Sequence, residues 1–212
     1  TGNLVQTWIL RSDIDPITAS RTGADSSICG DCPHKGKPNK NAKGWATDRT
    51  CYVNLLFAPN GVFKAYQRGA YSYARGHDSI RAIGLLRGVR LGSYGDPMAV
   101  PSYVWESLCS GAEFVTAYTH QTNTMPQLVM TSADSHAQAQ QAWANNQRTF
   151  RVISSVDAID KANEVLCPAS KEAGERTQCA SCKLCGGNSK AAKSVAIVAH
   201  GASKRKAKDL VA

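Results

Sequence analysis

Short apolar runs separated by polar, glycine-bearing stretches set the pattern of the chain. They predict strands over residues 4–10, 88–93, 114–118, 127–131, 149–153, 164–166 and 194–200, with an eighth candidate near 52–55. Helices are expected over 16–21, 60–68, 101–109 and 135–146. The last is the clearest: Ser135 is placed to cap it, and Ala139, Ala142 and Trp143 fall on one side. Strands alternating with helices imply βαβ units and a mainly parallel sheet. Seven or eight such strands suit an α/β fold of the small or incomplete (β/α)-barrel kind, and an open doubly wound sheet satisfies the same connections.

Two segments interrupt the alternation. Residues 35–49, KGKPNKNAKGWATDR, have no apolar period and read as a basic loop held between Cys32 and Cys51. Residues 170–193 are similar in character. Neither builds a core of its own, so a bound metal is the expected way to order both. The domain reading is one α/β domain over 1–212, with cysteine-rich segments at 29–51 and 167–193 and a basic tail at 201–212.

Composition narrows the class. The chain is 42% hydrophobic and 19% charged, which excludes a disordered polyelectrolyte. Its best apolar run, 195–199, is far short of the roughly 20 residues of a membrane span. The opening TGNLVQTWIL lacks the basic-then-apolar pattern of a signal peptide, so a cytoplasmic protein is expected. Lys and Arg number 25 against 16 Asp and Glu, a net charge of +9. That excess attracts polyanions, and nucleic acid or a nucleotide is the expected partner. Four of the positive charges lie in Lys204-Arg205-Lys206-Ala207-Lys208, which also reads as a solvated tail.

Eight cysteines change the picture most. Disulfide frameworks belong to small secreted chains, whereas cysteines set two residues apart converge on one ion. The stronger set is Cys167, Cys179, Cys182 and Cys185. Four thiolates satisfy a tetrahedral zinc or an iron–sulfur cube equally well, and His200 is an alternative to Cys167 if the metal is zinc. The earlier set is Cys29, Cys32 and Cys51, with His34 as a candidate fourth ligand. Three thiolates leave one position open for a small molecule, while a closed set with His34 is purely structural. Cys109, in WESLCSG, reads as a small buried hydrophobe.

Four strand ends carry candidate chemistry: RLGSYGDP with Asp96, TAYTH with His120, TSADS with Asp134, and Phe150-Arg151. Parallel strands present their carboxyl ends on one face, so Asp96, His120 and Asp134 are expected to converge as catalytic residues. For Asp134 and Ser135, helix capping is the competing role.

This succession resembles that of radical S-adenosylmethionine enzymes, partial α/β barrels with an early [4Fe–4S] site. The resemblance implies a [4Fe–4S] cluster, S-adenosylmethionine as cofactor, and Gly95, Asp96 and Pro97 in place of a strand end that holds its methionyl part. It also implies an auxiliary cluster at Cys167 to Cys185. The family's CxxxCxxC spacing is absent, so Cys29, Cys32 and Cys51 would form a non-standard site. The general character resembles small cysteine-rich bacteriophage proteins, which implies the cytoplasm of an infected bacterium. A second resemblance is to base-exchanging transglycosylases of the tRNA-guanine type, barrels with a late zinc site. It implies Asp96 and Asp134 as nucleophile and base-recognition groups acting on DNA or RNA. A third reading is non-enzymatic: two zinc knuckles on an α/β scaffold that binds nucleic acid through phosphates.

Overall fold

In the computed structural model, which describes residues 3–41, 44–189 and 191–211, the fold is α/β with two open parallel sheets. The strands are β1 (Leu4–Trp8), β2 (Gly88–Tyr94), β3 (Phe114–Thr116), β4 (Tyr118–Thr119), β5 (Met130–Ala133), β6 (Thr149–Ile153), β7 (Glu164–Leu166) and β8 (Ser194–Val198). The helices are α1 (Pro16–Thr22), α2 (Ser26–Cys29), α3 (Ala58–Gln67), α4 (His77–Gly84), α5 (Ser102–Cys109), α6 (His136–Ala144), α7 (Cys179–Cys182) and α8 (Lys204–Val211).

The first sheet has the order β1-β2-β3 and the second β4-β5-β6-β8-β7, and every pairing within them is parallel. Neither sheet closes into a barrel. The expected strand over 114–118 is divided at Ala117, whose N–H leaves the ladder for the Cys185 carbonyl while its own carbonyl accepts from Met130. β8 enters between β6 and β7, so it is covered on both sides, and Val195, Ala196 and Val198 are buried.

Local chemistry explains most element ends. Asp15 accepts from the N–H groups of Ile17 and Thr18 and caps α1, with Pro16 in its first turn and Gly23 left-handed at its end. Ser135 caps α6 by accepting from Gln138 N–H. Val89 and Leu91 of β2 join Ile80, Trp105 and Leu108 in the main core, and Cys109 packs at its margin.

Three expectations are corrected. Residues 52–55 form no strand, and Leu55 instead turns into the core. The strand expected over 127–131 begins only at Met130, because Asn123 and the Met125 carbonyl take the N–H groups of residues 125, 128 and 129 into a turn. Much of the basic tail is helix α8, which buries Ala207 and Val211 and leaves Lys204, Arg205 and Lys206 exposed. No helix among the described residues is long and apolar enough to cross a membrane.

Candidate metal centres around one cavity

A cavity of about 370 Å³ lies between residues of both sheets and the two cysteine-rich segments. Both cysteine sets line it: Cys29, Cys32 and Cys51 from one segment, Cys167, Cys179, Cys182 and Cys185 from the other. Of the eight cysteines only Cys109 lies elsewhere.

The strand ends of β2 and β4 hold the first set in place. Asp96 N–H donates to the Ile28 carbonyl, one residue before Cys29, at 2.7 Å. The Asp96 carboxylate accepts from the Thr119 hydroxyl at 2.6 Å, His120 N–H at 2.9 Å and Met98 N–H at 3.0 Å. Next along β4's exit, Gln121 reaches back to the cysteine turn, donating to the Cys29 carbonyl and accepting from Asp31 N–H. Gly30 has φ +54°, and a Cβ there would lie 2.3 Å from the Gln121 side chain. The turn therefore needs glycine for both backbone and space.

The second set hangs on β7, β8 and one arginine. Cys167 follows β7 directly and donates its N–H to the Ala196 carbonyl at 2.8 Å. The Arg148 guanidinium donates to the carbonyls of Leu184, Gly187 and Lys193, fixing the chain around Cys185. Asn188 adds a link to the 146 carbonyl and accepts from Arg148 N–H.

Between the sets lies a polar cluster. His34 Nδ1 is 2.7 Å from Thr50 Oγ1 and its Nε2 is 2.8 Å from Asp134 Oδ1. His120 Nε2 sits 3.3 Å from the other Asp134 oxygen. That contact is close enough for an ion pair but is not aligned as a hydrogen bond, and His120 Nε2 has no hydrogen-bond partner among the described residues. Burial alone would lower the His120 pKa, but Asp134 and the Cys32 sulfur outweigh it and raise it to about 10. Burial works against the Asp134 carboxylate, yet the two imidazoles hold it well below the usual range. Burial pushes the thiols of Cys29, Cys51 and Cys167 up, and that of Cys185 up to about 12. A metal bound at these thiols would therefore have to displace their protons.

No family model, curated protein or solved structure matches this chain.

The structure brings Asp96, His120 and Asp134 to one rim, but in unlike settings. Both Asp96 oxygens are occupied by donors, whereas the His120 and Asp134 side chains line the cavity, in contact with each other, with His34 and with Cys32. Of the three residues expected to hold a methionyl group, Gly95 and Asp96 line the cavity, and Pro97 lies outside its wall, its carbonyl accepting from Trp105 Nε1. His34 turns to Thr50 and Asp134 rather than into the thiol set. His200 reaches the wall with its ring against Tyr52. Phe150 lines the cavity, while Arg151, expected beside it, faces the other way and pairs with Glu164.

Sequence reasoning missed Arg90 and Tyr118. Arg90, in β2, lines the cavity, and its buried Nε has no partner among the described residues. Tyr118 stacks on Phe150 with ring centroids 4.1 Å apart, its hydroxyl 3.2 Å from Thr116 Oγ1 and in contact with the Cys185 sulfur. An arginine inside the apolar run GVRLGSY was the available signal for the first.

Proposed function

We propose that the chain is an iron–sulfur enzyme acting on a nucleotide, free or within a nucleic acid, with a cluster at each cysteine set of a radical S-adenosylmethionine-like partial barrel. The observation that carries this reading is the lining of one cavity by seven thiols from two distant segments, set along the faces and carboxyl ends of parallel strands.

The donor set suits clusters. Tetrahedral zinc with bonds near 2.3 Å draws its thiolates to about 3.8 Å of one another. Among the described residues no three cysteine sulfurs lie within 4.8 Å of each other. A cluster, with several irons between its thiolates, holds them further apart. With His34 turned to Thr50 and Asp134, the first set would offer three thiols to a cluster and would leave one position without a protein ligand, the one the resemblance gives to S-adenosylmethionine. When bound, such centres supply single electrons to the cavity.

The remaining wall fits a nucleotide. Among the described residues Arg90 makes no ion pair and its Nε has no hydrogen-bond partner, so its guanidinium suits a phosphate or carboxylate. The stacked Tyr118 and Phe150 rings offer an apolar face to a base. Asp96, saturated by Thr119, His120 N–H and Met98 N–H, is a positioning residue, which disfavours the sugar-attacking carboxylate of the transglycosylase reading.

Iron and acid-labile sulfide analysis of anaerobically purified and reconstituted full-length chain tests the proposal. Brown protein containing both is expected, with Cys51→Ser and Cys182→Ser each removing part of the iron. Colourless protein holding stoichiometric zinc and no sulfide would overturn it in favour of the zinc readings.

A further inference from the structure

The polar cluster between the cysteine sets has the geometry of a metal site that contains no sulfur. We infer that His34 Nε2, His120 Nε2 and Asp134 bind one divalent first-row metal ion, with its open positions facing the cavity.

Three observations carry this. First, the spacing: ligands adjacent on a metal with bonds of about 2.0–2.2 Å lie roughly 2.8–3.4 Å apart. Asp134 Oδ1 lies 2.8 Å from His34 Nε2 and Asp134 Oδ2 lies 3.3 Å from His120 Nε2, so each carboxylate oxygen sits in that window from one imidazole, and one ligand atom of each residue lies within 4.8 Å of the other two. Second, His120 Nε2 is buried, aimed at this point and without a hydrogen-bond partner among the described residues. Buried polar atoms are nearly always satisfied, so one aimed at two other ligands marks a place for a ligand partner. Third, the outer contacts are those of a ligating histidine. Thr50 Oγ1 lies 2.7 Å from His34 Nδ1, so when a metal ion displaces the Nε2 proton now shared with Asp134, Thr50 can accept from the proton on Nδ1. Gln138 accepts from Asp134 N–H at 2.7 Å and fixes the turn that carries the carboxylate.

Two imidazoles and one carboxylate with open positions suit Fe(II) or Mn(II) better than a closed structural zinc. The ligand classes that complete the sphere are water and the oxygen donors of a bound phosphate or carboxylate. Arg90, on the same cavity wall, would face the same anion. The site needs none of the thiols, so it stands whether or not the cysteines hold clusters.

Mn(II) is the probe, because it favours nitrogen and oxygen donors over thiolate. The full-length anaerobic protein is titrated with Mn(II), and the free aqueous ion is followed by its electron paramagnetic resonance signal. One Mn(II) per chain is expected. His120→Ala and Asp134→Asn should each weaken binding at least about tenfold, and Thr50→Ala by about 10–100-fold through loss of the outer contact. Cys182→Ser should leave it unchanged. Absence of Mn(II) binding at millimolar concentration, or binding unchanged in both His120→Ala and Asp134→Asn, overturns the assignment. Thermal melts identify any variant that does not fold. Thr50→Ala keeps all three ligands, so unchanged affinity in that variant also counts against the site. Iron–sulfide analysis reads the thiol sets separately, so failure of the cluster proposal and failure of this one are distinct results.

Discussion

Glu164→Ala should be among the most damaging substitutions outside the cavity. Arg151 and Glu164 are 5% and 0% exposed, and their side chains meet through Nε–Oε1 at 2.8 Å and Nη2–Oε2 at 2.6 Å. The pair connects β6 to β7 across β8, in whose register Arg151 faces Ala196 and Glu164 faces Ser194. The small side chains of these two residues leave room for the bridge. Removing the carboxylate leaves a buried guanidinium with only the Ala158 carbonyl as partner, and strands Asp160 N–H, which donates to Glu164 Oε2. Breaking such a pair costs about 3–5 kcal/mol. At roughly 2–4 °C per kcal/mol for a chain of this size, Tm should fall by about 6–20 °C. Because Cys167 directly follows β7, the variant should also lose iron from the second set while keeping the first. Calorimetry and iron analysis on the same preparation read both effects. The double variant Arg151→Leu/Glu164→Leu removes both charges together and should be less destabilised than Glu164→Ala, since no lone charge stays buried. A Glu164→Ala loss below about 1 kcal/mol, or a double variant worse than the single, would refute the reasoning.

Gly30→Ala should deplete the first cysteine set of iron and spare the second, because its Cβ would collide with Gln121; equal loss from both sets would contradict this. Arg90→Ala should weaken binding of nucleoside phosphates, read by isothermal titration, without lowering Tm, since its buried Nε has no hydrogen-bond partner among the described residues to lose; unchanged affinity counts against its anion role. Asp160 accepts from His136, Asn163 and the 162 and 163 N–H groups, and the Asn163 and His136 contacts hold its pKa well below the ordinary value. A depressed carboxyl contributes stability that is present above its unfolded pKa and lost as pH falls through the folded one. Wild type should therefore lose Tm on acidification below about pH 4 more steeply than Asp160→Ala, and parallel curves would reject that contribution.

Much of the strand pattern was legible because the apolar runs are compact: 149–153 and 164–166 are the observed strands, and the helix over 135–146 is capped by Ser135 as its sequence suggests. The gathering of Asp96, His120 and Asp134 was legible for a topological reason, since parallel strands end on one edge. Two arginines show where legibility stops. Arg90 and Arg151 each sit mid-strand in an apolar run, and alternation assigns each a face without saying which face is hollow. One meets a buried glutamate from β7; the other meets a cavity. The grip of Arg148 on three carbonyls of the second cysteine segment was equally hidden, because backbone carbonyls carry no signal in residue type. The division of the expected strand at Ala117 depends on the Cys185 carbonyl, a partner far along the chain.

The distribution of unsatisfied polar atoms then separates scaffold from site. Along the rim most polar groups are consumed in holding the two cysteine segments: Asp96 on the exit of β4, Gln121 on the Cys29 turn, Arg148 on the loop after Cys185. Among the described residues, buried side-chain atoms without a hydrogen-bond partner are Ser20 Oγ, Arg90 Nε, Tyr94 Oη, His120 Nε2 and Arg148 Nε. Arg90, Tyr94 and His120 all line the cavity between the thiol sets. An unsatisfied buried donor or acceptor costs about 1–3 kcal/mol, so a fold that leaves three of them around one hollow is destabilised there. The same three groups would gain partners from a polar ligand, which would convert that local cost into affinity. A purely structural pair of metal knuckles has no use for such a hollow; a cavity that receives an anionic substrate between two metal centres does.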